Sequence, residues 1–201
     1  MGLRFMTDEA VIVFLKNPEE GKVKTRLAKT LGSRRALKIY QELLNKIRTS
    51  LSEVPSDIYL FYSERVENSN GWDFVKQRRV QKGDDIGSRM SDAFRQLFKE
   101  GYSSVVLIGT DIWDLQPADI RDAFYMLEQK DVVLGPAEDG GYYLIGMKTP
   151  MPELFELPEW SNEHVLERTL DKCRQYDLTA GRIRMLRDID EAKDLEGTGL
   201  L

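Results

Sequence analysis

The sequence predicts an α/β domain, a mostly parallel sheet covered by helices on both faces. Three observations carry that expectation. Strand-like and helix-like segments alternate along the 201 residues, as in a chain of βαβ units. The strand-like segments include short continuous apolar runs, the mark of strands buried on both faces. The composition, 41% hydrophobic and 31% charged, is ordinary for a globular chain long enough to bury a full core. The reading is one domain over residues 1–201, with its core at about 10–196.

The elements come in order. "VIVFL" (11–15) reads as a buried strand. After a loop, 33–51 reads as a helix whose apolar face is Leu37, Tyr40, Leu44, Ile47 and Leu51. "DIYLFY" (57–62) is a second strand, and a polar loop with Asn68, Asn70 and Gly71 leads to a weak strand near 74–80. Residues 86–101 form a helix with Met90, Phe94, Leu97 and Phe98 on one side and Gly101 as its stop. "SVVLIG" (104–109) is a buried strand. A helix at 116–129 carries Pro117 in its first turn, where proline is tolerated. "DVVLG" (131–135) and "YYLIGM" (142–147) are strands. The tail holds a helix from about Ser161 to Arg174, a strand at 181–186 and a short helix after Asp190. No linker, repeat or low-complexity segment interrupts this pattern.

The net charge of −5 argues against nucleic acid and anionic membranes as partners. The single cysteine, Cys173, excludes an internal disulfide and a cysteine-based zinc cluster, so a reducing, cytoplasmic setting is expected. The first fifteen residues lack a signal peptide's pattern, because Asp8 and Glu9 precede an apolar run of only five. Met1-Gly2 opens like a myristoylation site, but Met6 stands where Ser or Thr is needed. No stretch is long enough to span a bilayer.

In folds of this class ligands bind at the carboxyl ends of the strands. Three loops fall on that edge. Residues 16–38 hold eight basic residues against two acids, Glu19 and Glu20. A positive loop there, with Gly21 for backbone access, suits a polyphosphate: lysine supplies a point charge and arginine a fork of donors. Lys16, Lys24 and Arg26, beside the strand end, are the phosphate candidates. Arg34, Arg35 and Lys38 read as a solvated helix face. The spacing is not that of a P-loop.

The second loop, "GTDIWDLQP" (109–117), places Asp111 immediately past a buried strand, while Asp114 suits a cap or turn. The third, "PAEDGG" (136–141), sets Glu138 and Asp139 beside Gly140 and Gly141, a combination that weakens any strand. Carboxylates from neighbouring loops about 4 Å apart would repel by roughly 4 kcal/mol at an effective dielectric of 20. A cation between them resolves this, and beside phosphate that cation is Mg²⁺, or Mn²⁺. Gly140 and Gly141 would let the backbone approach a ligand, and alternation sends Tyr142 and Tyr143 to opposite faces. A turn with merely solvated acids is the bland alternative. Further on, Asp188 could face the cleft as another metal or substrate contact, and Asp190 reads as a helix N-cap. His164 reads as a surface or packing residue, and no Ser/His/Asp or Cys/His arrangement is present.

Six blocks occur in order: "KNPEEGKVKTRLA", "GDDIGSRM", "VLIGTDIWDLQP", "VVLGPAEDGGYYLIGM", "PEWSNEHVL" and "RDIDEAKDL". Together they resemble the small bacterial transferases called radical-SAM/selenodomain-associated transferase 1, often labelled glycosyltransferases. The resemblance covers roughly residues 10–196. It implies the GT-A, or nucleotide-diphospho-sugar transferase, fold and distant kinship with the 2-phospholactate and molybdenum-cofactor guanylyltransferases. By that similarity Lys16, Lys24 and Arg26 are nucleotide-phosphate contacts and Asp111 a metal ligand, with Asp139 and Asp188 joining the metal or donor. The family usually has Cys-Pro after the aspartate of its "GTD" block, where this chain has Ile112-Trp113, so the Trp113 ring would reshape the acceptor wall. The expected function is Mg²⁺-dependent transfer from a nucleotide sugar to a small-molecule acceptor. Nucleotidylyl transfer from a nucleoside triphosphate is the alternative, and a nucleotide-binding module without catalysis a third reading. The base, sugar, acceptor and oligomeric state are not legible.

Overall fold

The structure is a computed structural model that describes residues 7–68, 71–160 and 162–200. The features read at Met1, Gly2 and Met6, at Asn70 and at Ser161 lie outside the described residues. The apolar runs become strands β1 (Glu9–Leu15), β2 (Asp57–Tyr62), β3 (Gln77–Val80), β4 (Ser104–Ile108), β5 (Val132–Pro136), β6 (Tyr142–Met147) and β7 (Ala180–Arg182). They form one sheet in the order β3-β2-β1-β4-β6-β5-β7. All neighbours are parallel except β6, which runs antiparallel to both β4 and β5. The fold class expected from the sequence is therefore the one observed.

Period-two alternation divides the core. Ala10, Ile12 and Phe14 of β1 face α3 (Ile86–Lys99) and α5 (Val165–Gln175), packing with Phe94, Leu97 and Leu166. Val11, Val13 and Leu15 face α2 (Ser33–Ser52) and α4 (Pro117–Gln129), with Ile47, Leu51 and Ile120. Apart from Ala10, each such side chain contributes about 1.5–3 kcal/mol by leaving water. A third cluster joins Leu27 of α1 (Thr25–Leu31) and Ile39 and Leu43 of α2 to Ile189 and Leu195, which pins the end of the chain against the first two helices. Tyr142 and Tyr143 pack into opposite clusters, as alternation requires. No helix among the described residues is long and apolar enough to cross a membrane.

Several boundaries differ from the sequence reading. The buried stripe of α2 is Ala36, Ile39, Tyr40, Leu43, Ile47 and Leu51, with Leu37 and Leu44 at its rim, because Leu27 and the tail cover a neighbouring face. The expected strand 181–186 shortens to Ala180–Arg182, after which Leu186 makes one isolated bridge to Ala137. The tail helix starts at Val165 with His164 as N-cap. Asp114 is not the cap of α4: Gln116 is, and its backbone N–H donates to Asp119 Oδ2 at 2.7 Å. Asp190 caps nothing either, since the closing 3-10 turn, Ala192–Leu195, is capped at Glu191, whose N–H donates to Asp194.

The antiparallel β6 shapes the carboxyl edge of the sheet. It starts where β5 ends, so loop 137–141 is a hairpin at the same edge where β1 and β4 deliver residues 16 and 111.

Candidate functional site

The site begins where β1 stops. Asn17 is buried and uses its whole amide: Nδ2 donates to the Arg65 carbonyl at 2.9 Å and to Glu67 Oε1 at 2.8 Å, and Oδ1 accepts from the N–H groups of Glu64 and Arg65 at 3.1 and 3.3 Å. That holds the basic loop against the segment after β2. The Tyr40 hydroxyl, arriving from α2, accepts from the Lys16 N–H at 2.8 Å and donates to the Lys16 carbonyl at 3.1 Å. It lies 3.3 Å from Thr110 Oγ1. Burial holds this phenol protonated far above its ordinary range, so it is a fixed strut and not an acid.

Lys24 is the centre of the arrangement. It precedes α1 with φ of 48°, in the left-handed region, and its side chain is 4% exposed. The ammonium donates to the Ile189 carbonyl at 2.6 Å and to Asp190 Oδ1 at 3.1 Å, and pairs with Asp111 Oδ1. Asp111 is in turn fixed through its backbone. The Ile189 N–H donates to the Asp111 carbonyl at 2.8 Å, and Ile112 bridges Asp188 in antiparallel fashion. Arg26 reaches Asp190 Oδ2 at 3.5 Å, with most of its side chain in solvent. Asp139 accepts from the Gly141 N–H at 2.9 Å, which closes the hairpin turn.

Two adjoining cavities share the wall made by Asp111, Asp139, Gly141, Trp160 and Asp190. One, about 530 Å³, adds Lys16, Lys24, Arg26 and Tyr40. The other, about 330 Å³, is mainly apolar. The structure thus brings together every acidic and basic residue proposed for the site: Lys16, Lys24, Arg26, Asp111, Asp139 and Asp188.

Burial, and then the charge of Asp139, pushes the Asp188 carboxyl up from 3.8 to about 6, with Asp190 adding to the effect and Lys24 offsetting part of it. The folded state therefore disfavours ionised Asp188. That penalty is absent below the ordinary carboxylate range and develops as pH rises toward the raised value. Asp188→Asn should accordingly be more stable than the wild type near pH ~7, on the order of 1 kcal/mol once solvent screening is allowed for. The gain should vanish at about pH 3.5. Urea unfolding at both pH values checks this.

The structure also revises several assignments. Lys24 is committed to carboxylates and a carbonyl, whereas the reading from sequence has it reaching straight for phosphate. Gly21 lies outside both cavities, and its φ of +81° makes it a turn residue with nothing within 4 Å of an added Cβ. Gly140 answers to the protein and not to a ligand: a Cβ there would fall 2.1 Å from the Glu163 carbonyl oxygen. The Trp113 ring does not shape the cleft. It packs on the third cluster beneath Lys46, whose Nζ lies 5.6 Å from the ring centroid, and Ile112 lines the cleft instead. Among the described residues no three His, Cys, Asp or Glu side chains close around one metal-sized point. Sequence reasoning missed Asn17, Tyr40, Thr110, Trp160 and Asp190 as site residues. The positions of Asn17 and Thr110, each two residues past a buried strand, could have flagged those two.

With that geometry in view, comparisons with known proteins place the chain. The family "Uncharacterized protein conserved in bacteria (DUF2064)" matches residues 46–162, more than half of the chain. No curated protein matches it in sequence. A Desulfovibrio desulfuricans G20 crystal structure, of a candidate nucleotide-diphospho-sugar transferase, is 31% identical with a TM-score of 0.87, covering 94% of this chain and 85% of that one. The inositol-1-phosphate CTP transferase of T. maritima is 15% identical with a TM-score of 0.55, covering 97% and 94%. The 4-diphosphocytidyl-2C-methyl-D-erythritol synthase of Anaerococcus prevotii DSM 20548 is 8% identical with a TM-score of 0.60, covering 96% of each chain. The last two likenesses are of fold alone. The chain belongs to the bacterial family DUF2064, built on the nucleotide-diphospho-sugar transferase fold.

Proposed function

We propose that the protein is a divalent-metal-dependent transferase that moves a glycosyl group from a nucleotide sugar to a small acceptor. The observation that carries this reading is the convergence of Lys16, Lys24 and Arg26 with Asp111 and Asp139 around one cavity at the carboxyl edge of the sheet. Lys16 and Arg26, both exposed, would meet the diphosphate, while Lys24 orients Asp111. Asp111 and Asp139 would hold Mg²⁺ or Mn²⁺, with Asp188 behind them. When bound, the cation would neutralise charge growing on the leaving diphosphate. The acceptor hydroxyl oxygen bonds to the anomeric carbon of the sugar. The bond from that carbon to the diphosphate breaks, its electron pair leaving with the nucleoside diphosphate, and the hydroxyl proton passes to a cleft carboxylate. Membership in the radical-SAM/selenodomain-associated transferase 1 group and a cytoplasmic setting belong to the same proposal.

One observation favours a second reading, nucleotidylyl transfer with loss of pyrophosphate. Asp111 stands alone at the end of β4, followed by Ile112 and Trp113 and not by the second acid of a D-x-D pair.

The test is a thermal-shift panel of nucleoside triphosphates and nucleotide sugars with Mg²⁺ or Mn²⁺. A ligand at a hundredfold its Kd should add roughly 2.7 kcal/mol of apparent stability. Stabilisation by UDP-sugars or GDP-sugars supports the first reading, stabilisation by triphosphates alone the second, and none by either sinks both. Asp111→Asn should weaken Mg²⁺-dependent nucleotide binding about tenfold or more, and should cost on the order of 1 kcal/mol of ligand-free stability because it takes a charge partner from the buried Lys24 ammonium. A loss of ligand-free stability with Mg²⁺-dependent nucleotide affinity unchanged would identify Asp111 as purely structural.

A further inference from the structure

The second, apolar cavity bears on the acceptor, and its reading rests on the donor assignment above. Beyond the wall shared with the basic cavity, its apolar lining includes Phe14, Ile86, Met90, Leu107 and Val165, and Asp188 adds a carboxylate of its own. Among these Ile86 is 40% exposed on the first turn of α3, an apolar residue facing solvent at the cavity mouth.

Gly109 adds the decisive observation. It lines the apolar cavity and not the basic one, at the end of β4, two residues before Asp111. Its backbone is not in the left-handed region, so no conformational demand requires glycine. An added Cβ would meet nothing within 4 Å, so no packing demand requires it either. What the missing side chain leaves is space beside the reacting edge. Gly141, on the shared wall, is tighter, since a Cβ there would meet the Asp139 carboxylate with Oδ1 at 3.1 Å.

From these observations we infer that the 330 Å³ lobe is the acceptor subsite and takes an alcohol with an apolar, ring-sized body, its hydroxyl directed at Asp111 and Asp139. The volume suits one such ring system. Hydroxyls could pair with Asp111, Asp139, Asp188 and Asp190 on one side of the lobe, but a polyhydroxylated acceptor would leave its other groups unpaired against Phe14, Met90 and Leu107. The two lobes meet only at the carboxylate wall, which is where donor and acceptor atoms have to meet for transfer.

The experiment uses the full chain, wild type and Gly109→Leu. Cyclohexanol and benzyl alcohol serve as apolar probes and glycerol as the polar one, with binding read by saturation-transfer NMR. CTP and UDP-glucose with Mg²⁺ are titrated in parallel by calorimetry. The expected result is binding of both apolar probes and not glycerol to the wild type, about tenfold weaker in Gly109→Leu, with nucleotide affinity held within about twofold. Ile86→Asn, at an exposed position that does not threaten folding, should weaken the apolar probes in the same direction. Equal binding of cyclohexanol to wild type and Gly109→Leu, or a preference for glycerol, overturns the apolar subsite. Absence of binding by every triphosphate and nucleotide sugar of the panel above overturns the donor reading separately, and with it the acceptor role of the lobe.

Discussion

Lys24→Ala should lose at least tenfold in nucleotide affinity and about 1–2 kcal/mol of stability. The ammonium is buried among Asp111, Asp190 and the Ile189 carbonyl, and the side chain is 4% exposed. Removing one member of a fully buried pair costs about 3–5 kcal/mol. Here Asp111 is 53% and Asp190 35% exposed, so water takes over part of the solvation and the loss is smaller. Affinity falls because Asp111 loses the charge that aims its carboxylate. Backbone strain can be separated from charge by Lys24→Gly. Both variants lack the ammonium, but only alanine keeps a Cβ at φ of 48°, so glycine should be more stable by roughly 1 kcal/mol. Calorimetric titration and urea unfolding of the two variants decide it, with Arg35→Ala as a control that changes little. Unaltered nucleotide affinity in both would remove Lys24 from the site.

Gly140→Ala should cost about 3 kcal/mol, the sum of overpacking and left-handed strain. Its Cβ would lie 2.1 Å from the Glu163 oxygen and 2.7 Å from that residue's carbonyl carbon and Cα, and φ is +88°. The backbone cannot slide away easily. The Leu166 N–H donates to the Gly140 carbonyl at 3.0 Å, and the Ala137 and Gly141 backbones close the turn at 3.0 Å. Gly141→Ala is the contrast. There the nearest atom is Asp139 Oδ1 at 3.1 Å and the rest is cleft, so stability should change by less than about 1 kcal/mol while ligand affinity per folded molecule drops. If the two alanines destabilise equally, and neither alters nucleotide affinity, the hairpin serves the fold alone.

How much was legible in the sequence depends on where the information sits. Apolar runs such as 11–15 and 104–109 name buried strands because burial on both faces demands them. Polar residues just past those strands name the functional edge because the topology delivers them there. The antiparallel turn of β6 was not legible, since Tyr142–Met147 reads as a strand in either direction. Tyr40 was counted as one more apolar position on a helix, since only the fold shows its hydroxyl against Lys16 and Thr110. Asp190 was read as a cap because an acid ahead of a helical turn usually is one. Its pairing with Lys24 depends on a contact between opposite ends of the chain, which no local pattern encodes. The same holds for Gly140, whose partner at Glu163 comes from a separate segment.

The pairing of Lys24 with Asp190 also orders events in time. The two residues are 166 positions apart, and the Ile189 carbonyl that completes the lysine's shell lies one position closer. Bringing such distant points together is entropically slow, and sheet pairings with shorter spans precede it. During synthesis the strands through β6 emerge from the ribosome before residues 188–190 exist. A nascent chain can therefore build the first six strands of its sheet and its basic loop while Lys24 and Asp111 still lack the segment that joins them. Chemical competence would then arrive last, as the tail docks, and a partly made chain would hold an inert cleft.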